Sequence, residues 1–235
     1  MEVNIILELL KEAGSEQTKK VLLNHGIPEP LYGVKIENMK QLMKQTGKSQ
    51  DMAYALYDSG IYDAMYMAGL MADPKKFTIE KLNEWAAQSN CASISEYTVA
   101  WMAAESPFGW QIGLQWIESD NDRIKSSGWA ALLNVLALKQ DTDLDLEQIK
   151  VLMQRVQNSI RQQSDRVAYA MNNFIISVGS YVKPLHEQAI QIAENIGEVT
   201  IDMGKTSCKV PYAVTYIEKV AARGSIGKKK KTVVC

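Results

Sequence analysis

The sequence predicts an all-α protein built from stacked pairs of helices, and three observations lead to that prediction. Apolar residues recur at helical spacing through most of the 235 residues, as Val3, Ile6, Leu7 and Leu10 do in the first segment. Glycines, prolines and N-capping residues divide these segments at short intervals, which is typical of separate helices joined by tight turns. Corresponding points of successive helix pairs lie roughly 40 residues apart, a period typical of helical repeats.

The start and stop signals place the expected helices in order. Gly14 ends the first helix, and Pro28 and Pro30 end the second. Asp73-Pro74 closes a later helix, because the residue before a proline avoids the helical region. We expect helices at 3–14, 15–26, 39–47, 49–60 and 63–72, from 78, from 93, from 106, and at 122–139, 145–160, 164–180 and 184–196.

Two of these helix starts carry specific capping signals. Ser93 and Glu96 have the spacing of a capping box, in which each side chain binds the backbone N–H of the other residue. Ser106 followed by Pro107 predicts a cap with proline at the first helical position. Outside the helices only the stretch 199–203 alternates as a strand does, which is too little for a sheet.

The repeat period predicts a curved, HEAT-like helical-repeat solenoid, an α-α superhelix. Segments 33–73 and 78–120 are its clearest repeats. Each helix pair in such an array buries its apolar face only by stacking on its neighbours, and the curved array offers a concave binding surface. We divide the chain into a solenoid at 1–203 and a C-terminal segment at 204–235 with a short helix and a basic tail.

Composition and missing motifs argue against several classes of function. No stretch approaches eighteen uncharged apolar residues and the N-terminus lacks the pattern of a secretory signal, so we expect a cytoplasmic protein without membrane contact. The three cysteines lie far apart, which disfavours a disulfide framework and a zinc site. The aspartates of 141–145 mimic a calcium loop but lack its glycine and its final glutamate. We therefore expect no metal and no cofactor.

The charge is distributed unevenly along the chain. From residue 204 onward there are eight basic residues and one acid, which leaves 18 basic and 26 acidic residues before it. The lysine run Lys228, Lys229, Lys230 and Lys231 is the densest part. It predicts a basic arm that seeks an anionic partner, and the alternative is a solvated tail that only aids solubility.

Several segments resemble the DNA alkylation repair family of AlkD-like repeat proteins. They are Tyr32-Gly33-Val34-Lys35, Trp116-Ile117-Glu118-Ser119-Asp120-Asn121, Ala168-Tyr169-Ala170-Met171-Asn172-Asn173-Phe174, and the run from Cys208-Lys209-Val210-Pro211 to the lysine tail. The resemblance implies a C-shaped solenoid whose concave groove holds double-stranded DNA. It further implies a glycosylase that excises cationic alkylated purines with an aspartate, flanking tryptophans and an arginine, because a carboxylate and aromatic faces stabilise cationic centres.

The family's catalytic residues are missing from the corresponding positions of this chain. Active members carry Trp-Trp-Asp-Thr-Val-Asp where this chain has 95–100, so the aspartate falls on Ala100 and a tryptophan on Glu96. The arginine falls near Ser126, and the later tryptophan falls on Asn173. We therefore predict no catalytic residues of the classical kind, and enzyme activity stays open. Glu96 or Glu105 as a substitute carboxylate is the alternative.

The remaining candidates would line the groove. Tyr97 and Trp101 lie one turn apart on one helix face, with Glu96 beside them, and of Asn172 and Asn173 one is expected to tie repeats together while the other faces a ligand. The candidate phosphate contacts are Arg123, Lys125, Arg155, Arg161 and Arg166, unless nearby acids pair with them. The resulting prediction is a DNA-binding protein; the alternative is a scaffold for a protein partner.

Overall fold

The computed structural model describes residues 2–202 and 209–235, and within these ranges the chain forms α-helices, short 3₁₀ turns and a π-helical turn at Ile94–Val99. The thirteen α-helices of the described residues are α1 Val3–Ala13, α2 Glu16–Asn24, α3 Ile36–Thr46, α4 Gln50–Asp58, α5 Tyr62–Met71, α6 Ile79–Gln88, α7 Ala100–Glu105, α8 Gly109–Trp116, α9 Asp122–Leu138, α10 Leu146–Ser159, α11 Asp165–Tyr181, α12 His186–Ile196 and α13 Ala213–Ala222. The predicted all-α class is confirmed, and each predicted helix is present within a few residues of its expected bounds.

The helices stack as two layers of an α-α superhelix. The inner layer is formed by α5, α7, α9, α11 and α13; α5 packs on the π-helical turn that leads into α7, and from α7 onward each helix packs on the next. The outer layer of α4, α6, α8, α10 and α12 packs behind it, most extensively where α8 meets α9. This is the predicted HEAT-like solenoid, although segment 33–73 holds three helices, α3, α4 and α5, and not one pair.

The core runs between the two layers. At one end Tyr57 stacks on Trp85 with ring centroids 3.9 Å apart, and Phe77 meets the same indole edge-on at 4.8 Å. At the other end Trp129 meets Phe174 edge-on at 5.2 Å. Each of these five rings is almost completely buried, so the superhelix is stabilised mainly by apolar burial between repeats.

A buried carboxylate organises the first inner turn. Asp63 is fully buried and accepts the backbone N–H groups of Tyr32, Gly33 and Val34, the last at 2.7 Å. Gly33 has φ +77°, and a Cβ atom there would lie 2.5 Å from the backbone nitrogen of Lys19. The segment Tyr32-Gly33-Val34 is therefore a structural nest around Asp63, and only glycine fits its middle position.

Two capping predictions are wrong. Ser93 does not cap a helix and Glu96 does not close a box, because the π-helical turn begins there and Ser93 Oγ lies 3.1 Å from the hydroxyl of Tyr62. Helix α8 begins at Gly109 and not at Pro107, and Ser106 Oγ instead accepts the Phe108 N–H at 3.1 Å. Gly109 lies so close to Ala103 that a Cβ would meet its carbonyl oxygen at 2.8 Å, so the first residue of α8 must lack a side chain.

Two further predictions fall at the edge of the described residues. The described part of 199–203 forms no strand, and residue 203 lies outside the described ranges, as does the proposed boundary between 203 and 204. Among the described helices none is both long and apolar enough to cross a membrane.

Candidate functional site

The faces of the inner helices form the floor of a groove. Its main cavity, called here the groove cavity, has a volume of about 710 Å³ and lies between α7, α9, α11 and the C-terminal segment. Five aromatic side chains contribute to its lining; they are Tyr97, Trp101, Tyr169, Tyr181 and Tyr216. Tyr97 and Trp101 lie with ring centroids 5.7 Å apart, and Tyr97 keeps 44% of its surface exposed.

The π-helical turn decides which residues face this cavity. A π turn inserts an extra residue into the helical repeat, and such turns are common at functional sites. Glu96, Tyr97 and Trp101 line the cavity, whereas Ala100 is completely buried in the core. The position that matches the family's catalytic aspartate in an ungapped register therefore does not face the groove, and Glu96 is the carboxylate that does.

Glu96 forms a two-pronged ion pair with Arg166. Arg166 Nε donates to Glu96 Oε1 at 2.9 Å and its Nη2 donates to Oε2, while the guanidinium lies 4.8 Å from the ring centroid of Tyr169. Glu96 is only 7% exposed. Burial raises the pKa of Glu96 above its usual value, and Arg166 opposes this by favouring the ionised form. An acid and aromatic rings thus meet in the groove, but both carboxylate oxygens are engaged.

The N-terminal ends of α9 and α11, together with 90–95, form one side of the groove, called here the N-terminal rim. A second cavity of about 690 Å³ lies against it. Arg123 lines this cavity and donates through Nη1 to the carbonyl of Ser89. Lys125 is half-buried and makes no salt bridge with the described residues.

The other side of the groove, the C-terminal rim, is formed by 227–235, which crosses the C-terminal ends of α11, α9 and α7 in turn. Gly227 N–H donates to Ser180 O at 2.9 Å, and Lys230 N–H donates to Ala137 O at 2.7 Å. Val233 N–H then donates to Glu105 Oε1 at 2.7 Å. Glu105, the other proposed substitute carboxylate, thereby holds the tail.

Lys229 anchors this rim. Its ammonium donates to Leu136 O at 2.9 Å and to Tyr181 O at 2.7 Å, and it pairs with Asp141 at 2.9 Å. The side chain of Lys229 is only 7% exposed. The carbonyls at helix C-termini carry partial negative charge and lack helical partners, so a lysine is stabilised there.

The prediction of a free basic arm is therefore wrong for Lys229, which is a buried anchor. For the exposed Lys228, Lys230 and Lys231 both alternatives stay predictions, although the backbone that carries them is attached to three helix ends. Lys228 and Lys230 line the groove cavity, and Lys230 Nζ lies 5.7 Å from the ring centroid of Tyr181. Lys231 is exposed and makes no salt bridge within the described residues.

The structure separates the other candidates. Asn172 is buried and donates to Pro211 O at 3.0 Å, so it ties α11 to the C-terminal segment, whereas Asn173 lines the groove cavity. Arg155 pairs with Glu118, and Arg161 donates to the carbonyl of Ile196 at 2.6 Å. The alternative, that acids pair with these cations, describes Arg155 and Arg166. Arg123 and Arg161 instead donate to carbonyls at helix ends.

Sequence reasoning missed several lining residues, namely Tyr169, Ser180, Tyr216 and Arg223. Tyr169 and Ser180 lie eleven positions apart on α11, which is three helical turns, so the periodicity of that helix could have grouped them. Nothing local indicates Tyr216 or Arg223, because α13 reaches the cavity only through the packing of the last repeat. Among the described residues, no three histidine, cysteine or acidic side chains cluster as a metal site.

Comparison with known proteins identifies the family to which this chain belongs. The profile of a family described as DNA alkylation repair enzyme matches residues 6–217, and the chain belongs to that family. The uncharacterized protein Lin0241 of Listeria innocua is 33% identical over 219 residues, which cover 91% of this chain and 95% of the Listeria protein. Lmo0209 of Listeria monocytogenes is 32% identical over the same shares.

A solved structure is similar over the full length of both chains, with a TM-score of 0.92 and 32% identity. It is described as a new family of proteins related to the HEAT-like repeat DNA glycosylases with affinity for branched DNA structures.

Proposed function

We propose that this chain binds branched DNA in its groove and does not excise bases. The observation that carries the proposal is the C-terminal rim, where a buried lysine holds a run of solvent-facing lysines beside an aromatic groove. Cations that neutralise phosphates supply nearly all of the non-specific affinity of DNA-binding proteins and a large share of the specific affinity. The affinity of the similar solved protein for branched DNA supports this choice of ligand.

The charges around the groove cavity favour DNA over a protein partner. Arg223, Lys228 and Lys230 line it, and Glu96, the acid in its lining, is already paired with Arg166. The helix C-termini beneath the tail would otherwise present carbonyl oxygens, which repel phosphates. The tail covers them and presents ammonium groups instead. A scaffold for protein partners would be expected to have a neutral or acidic groove with exposed apolar residues.

The same geometry argues against base excision. A carboxylate that stabilises a cationic sugar must face the groove with a free oxygen. Ala100 offers no charge and lies in the core, and Arg166 holds both oxygens of Glu96. Incubating the protein with DNA that carries cationic alkylated purines should give no base release above the spontaneous rate.

Binding is tested by fluorescence anisotropy at several salt concentrations, with a four-way junction and a linear duplex of equal length. We expect tighter binding to the junction. The Lys228→Gln/Lys230→Gln variant should reduce the slope of log affinity against log salt by about 2, since each phosphate contact contributes about 0.9. The Lys11→Gln/Lys20→Gln variant, with two exposed lysines on α1 and α2, is the charge-matched control. Equal affinity for both DNAs, or an unchanged slope, would contradict the proposal.

A further inference from the structure

Besides the cations of the C-terminal rim, the groove cavity is lined by polar groups that have no hydrogen-bond partner among the described residues. Ser180 is 3% exposed, and its hydroxyl lines the cavity without a hydrogen-bond partner among the described residues. The side-chain amides of Asn134 and Asn173 also line it and make no hydrogen bond within the described ranges. Buried polar groups are normally hydrogen-bonded, so an unpartnered hydroxyl on a cavity wall indicates a ligand that supplies the bond.

The aromatic and cationic groups are arranged around these polar groups. Tyr97 offers an exposed ring beside Trp101, whereas the Arg166 guanidinium lies over the ring of Tyr169. Arg223, Lys228 and Lys230 lie at the side where the C-terminal segment closes the cavity. The volume of about 710 Å³ is within the range of small-ligand sites, roughly 300–1,000 Å³. An apolar and aromatic wall, a few polar groups and adjoining cations together match one nucleotide, with a flat base, hydrogen-bonding edges and a phosphate.

We propose that the groove cavity binds a single unpaired nucleotide at the branch point of the DNA. This inference rests on the proposed function and names the structural feature of the DNA that the site recognises. A base inside a duplex has both faces covered by its neighbours and its pairing edge occupied. An unpaired base can stack on an aromatic side chain while its free edge meets Asn134, Asn173 and Ser180. Its phosphate then meets the cations of the C-terminal rim.

The experiment uses three DNAs that each carry 2-aminopurine, a fluorescent base that stacking quenches. They are a junction with one unpaired 2-aminopurine at the branch point, the same junction with that base paired, and a linear duplex. We expect about ten-fold tighter binding to the unpaired junction than to the paired one, as stacking of one base supports, together with quenching of its fluorescence.

Two variants and a control make the result specific. Tyr97→Ala removes an exposed ring and should abolish both the ten-fold preference for the unpaired junction and the quenching. Ser180→Ala removes a hydroxyl that has no partner, so it should leave folding intact while weakening the preference. Leu23→Ala, an exposed apolar residue on α2, is the control and should change nothing.

The outcomes separate this inference from the proposed function. Equal binding to both junctions without quenching, but above the linear duplex, would overturn the nucleotide site and leave the branched-DNA proposal standing. Equal binding to the paired junction and the duplex would overturn the branched-DNA proposal. In that case a single strand containing 2-aminopurine tests the cavity by itself, and quenching that Tyr97→Ala removes would support the nucleotide site.

Discussion

The two rims of the groove differ in how their basic side chains are partnered. At the N-terminal rim the helix ends favour anions, and the arginines there already have partners, Glu96 for Arg166 and the Ser89 carbonyl for Arg123. At the C-terminal rim one lysine, Lys229, satisfies the helix ends, and its neighbours Lys228 and Lys231 make no salt bridge within the described residues. The buried ammonium of Lys229 thus fixes the tail in a position that leaves the side chains of Lys228 and Lys231 exposed.

This difference shows that the number of basic residues in a segment does not report the charge available to a ligand. A cation that pairs with a buried acid has no charge left to neutralise a phosphate, whereas an exposed lysine on a fixed backbone has all of it. The contrast between the rims therefore predicts effects of different size for removing the buried Lys229, the acid-paired Arg166 and the carbonyl-bound Arg123.

The largest effect is expected for Lys229→Met. The substitution leaves Asp141 without its cation and two helix-end carbonyls without a donor, which should lower the free energy of unfolding by about 3 kcal/mol. Urea denaturation at pH 7 measures it, and limited proteolysis of 227–235 reports whether the tail detaches. Lys231→Met is the matched control and should stay within about 0.5 kcal/mol of the wild type. Equal stabilities of the two variants would mean that the tail is not anchored by Lys229.

An intermediate effect is expected at the N-terminal rim for Arg166→Met. It leaves Glu96 buried without a partner, and because the Arg166 side chain is 37% exposed we expect a loss of about 2 kcal/mol at pH 7. Without Arg166 the pKa of Glu96 in the folded state rises further above its unfolded value. The folded state then binds a proton more readily than the unfolded one, so the deficit should shrink as pH falls from 7 to 5.

The double variant Glu96→Gln/Arg166→Met is the control for this prediction. It removes the buried charge together with its partner, so its stability relative to Glu96→Gln alone should not depend on pH between 5 and 7. A deficit of Arg166→Met that is equally large at both pH values would show that Glu96 is not the group responsible.

The smallest effect is expected for Arg123→Gln. Its guanidinium is engaged by one carbonyl, and Arg123 is an exposed residue, so the loss should be about 1 kcal/mol in unfolding free energy. DNA affinity should change by less than about two-fold, because the proposed phosphate contacts lie on the C-terminal rim and not beside Arg123. A loss of junction affinity as large as that of Lys228→Gln/Lys230→Gln would place the DNA contact on the N-terminal rim and reverse the comparison.

The sequence alone was enough to predict the helices and their stacking. Helical spacing and the turn signals reflect local backbone preferences, which act over a few residues and are therefore visible in order along the chain. The same holds for the family resemblance. Its segments Tyr32-Gly33-Val34 and Asn121 have structural roles, a nest around Asp63 and the N-cap of α9, which accepts the Arg123 N–H at 2.9 Å.

Only the tertiary structure decided which residues form the site. Because of the π-helical turn, Ala100 lies in the core and Glu96 lies at the groove. The local sequence had predicted a capping box at Glu96. Arg166 meets Glu96 across 70 positions, and Lys229 meets the carbonyl of Leu136 across 93. Such contacts depend on how distant repeats pack, and no local preference encodes them. The charges of this chain could be counted from its sequence, but their partners are set by the superhelix.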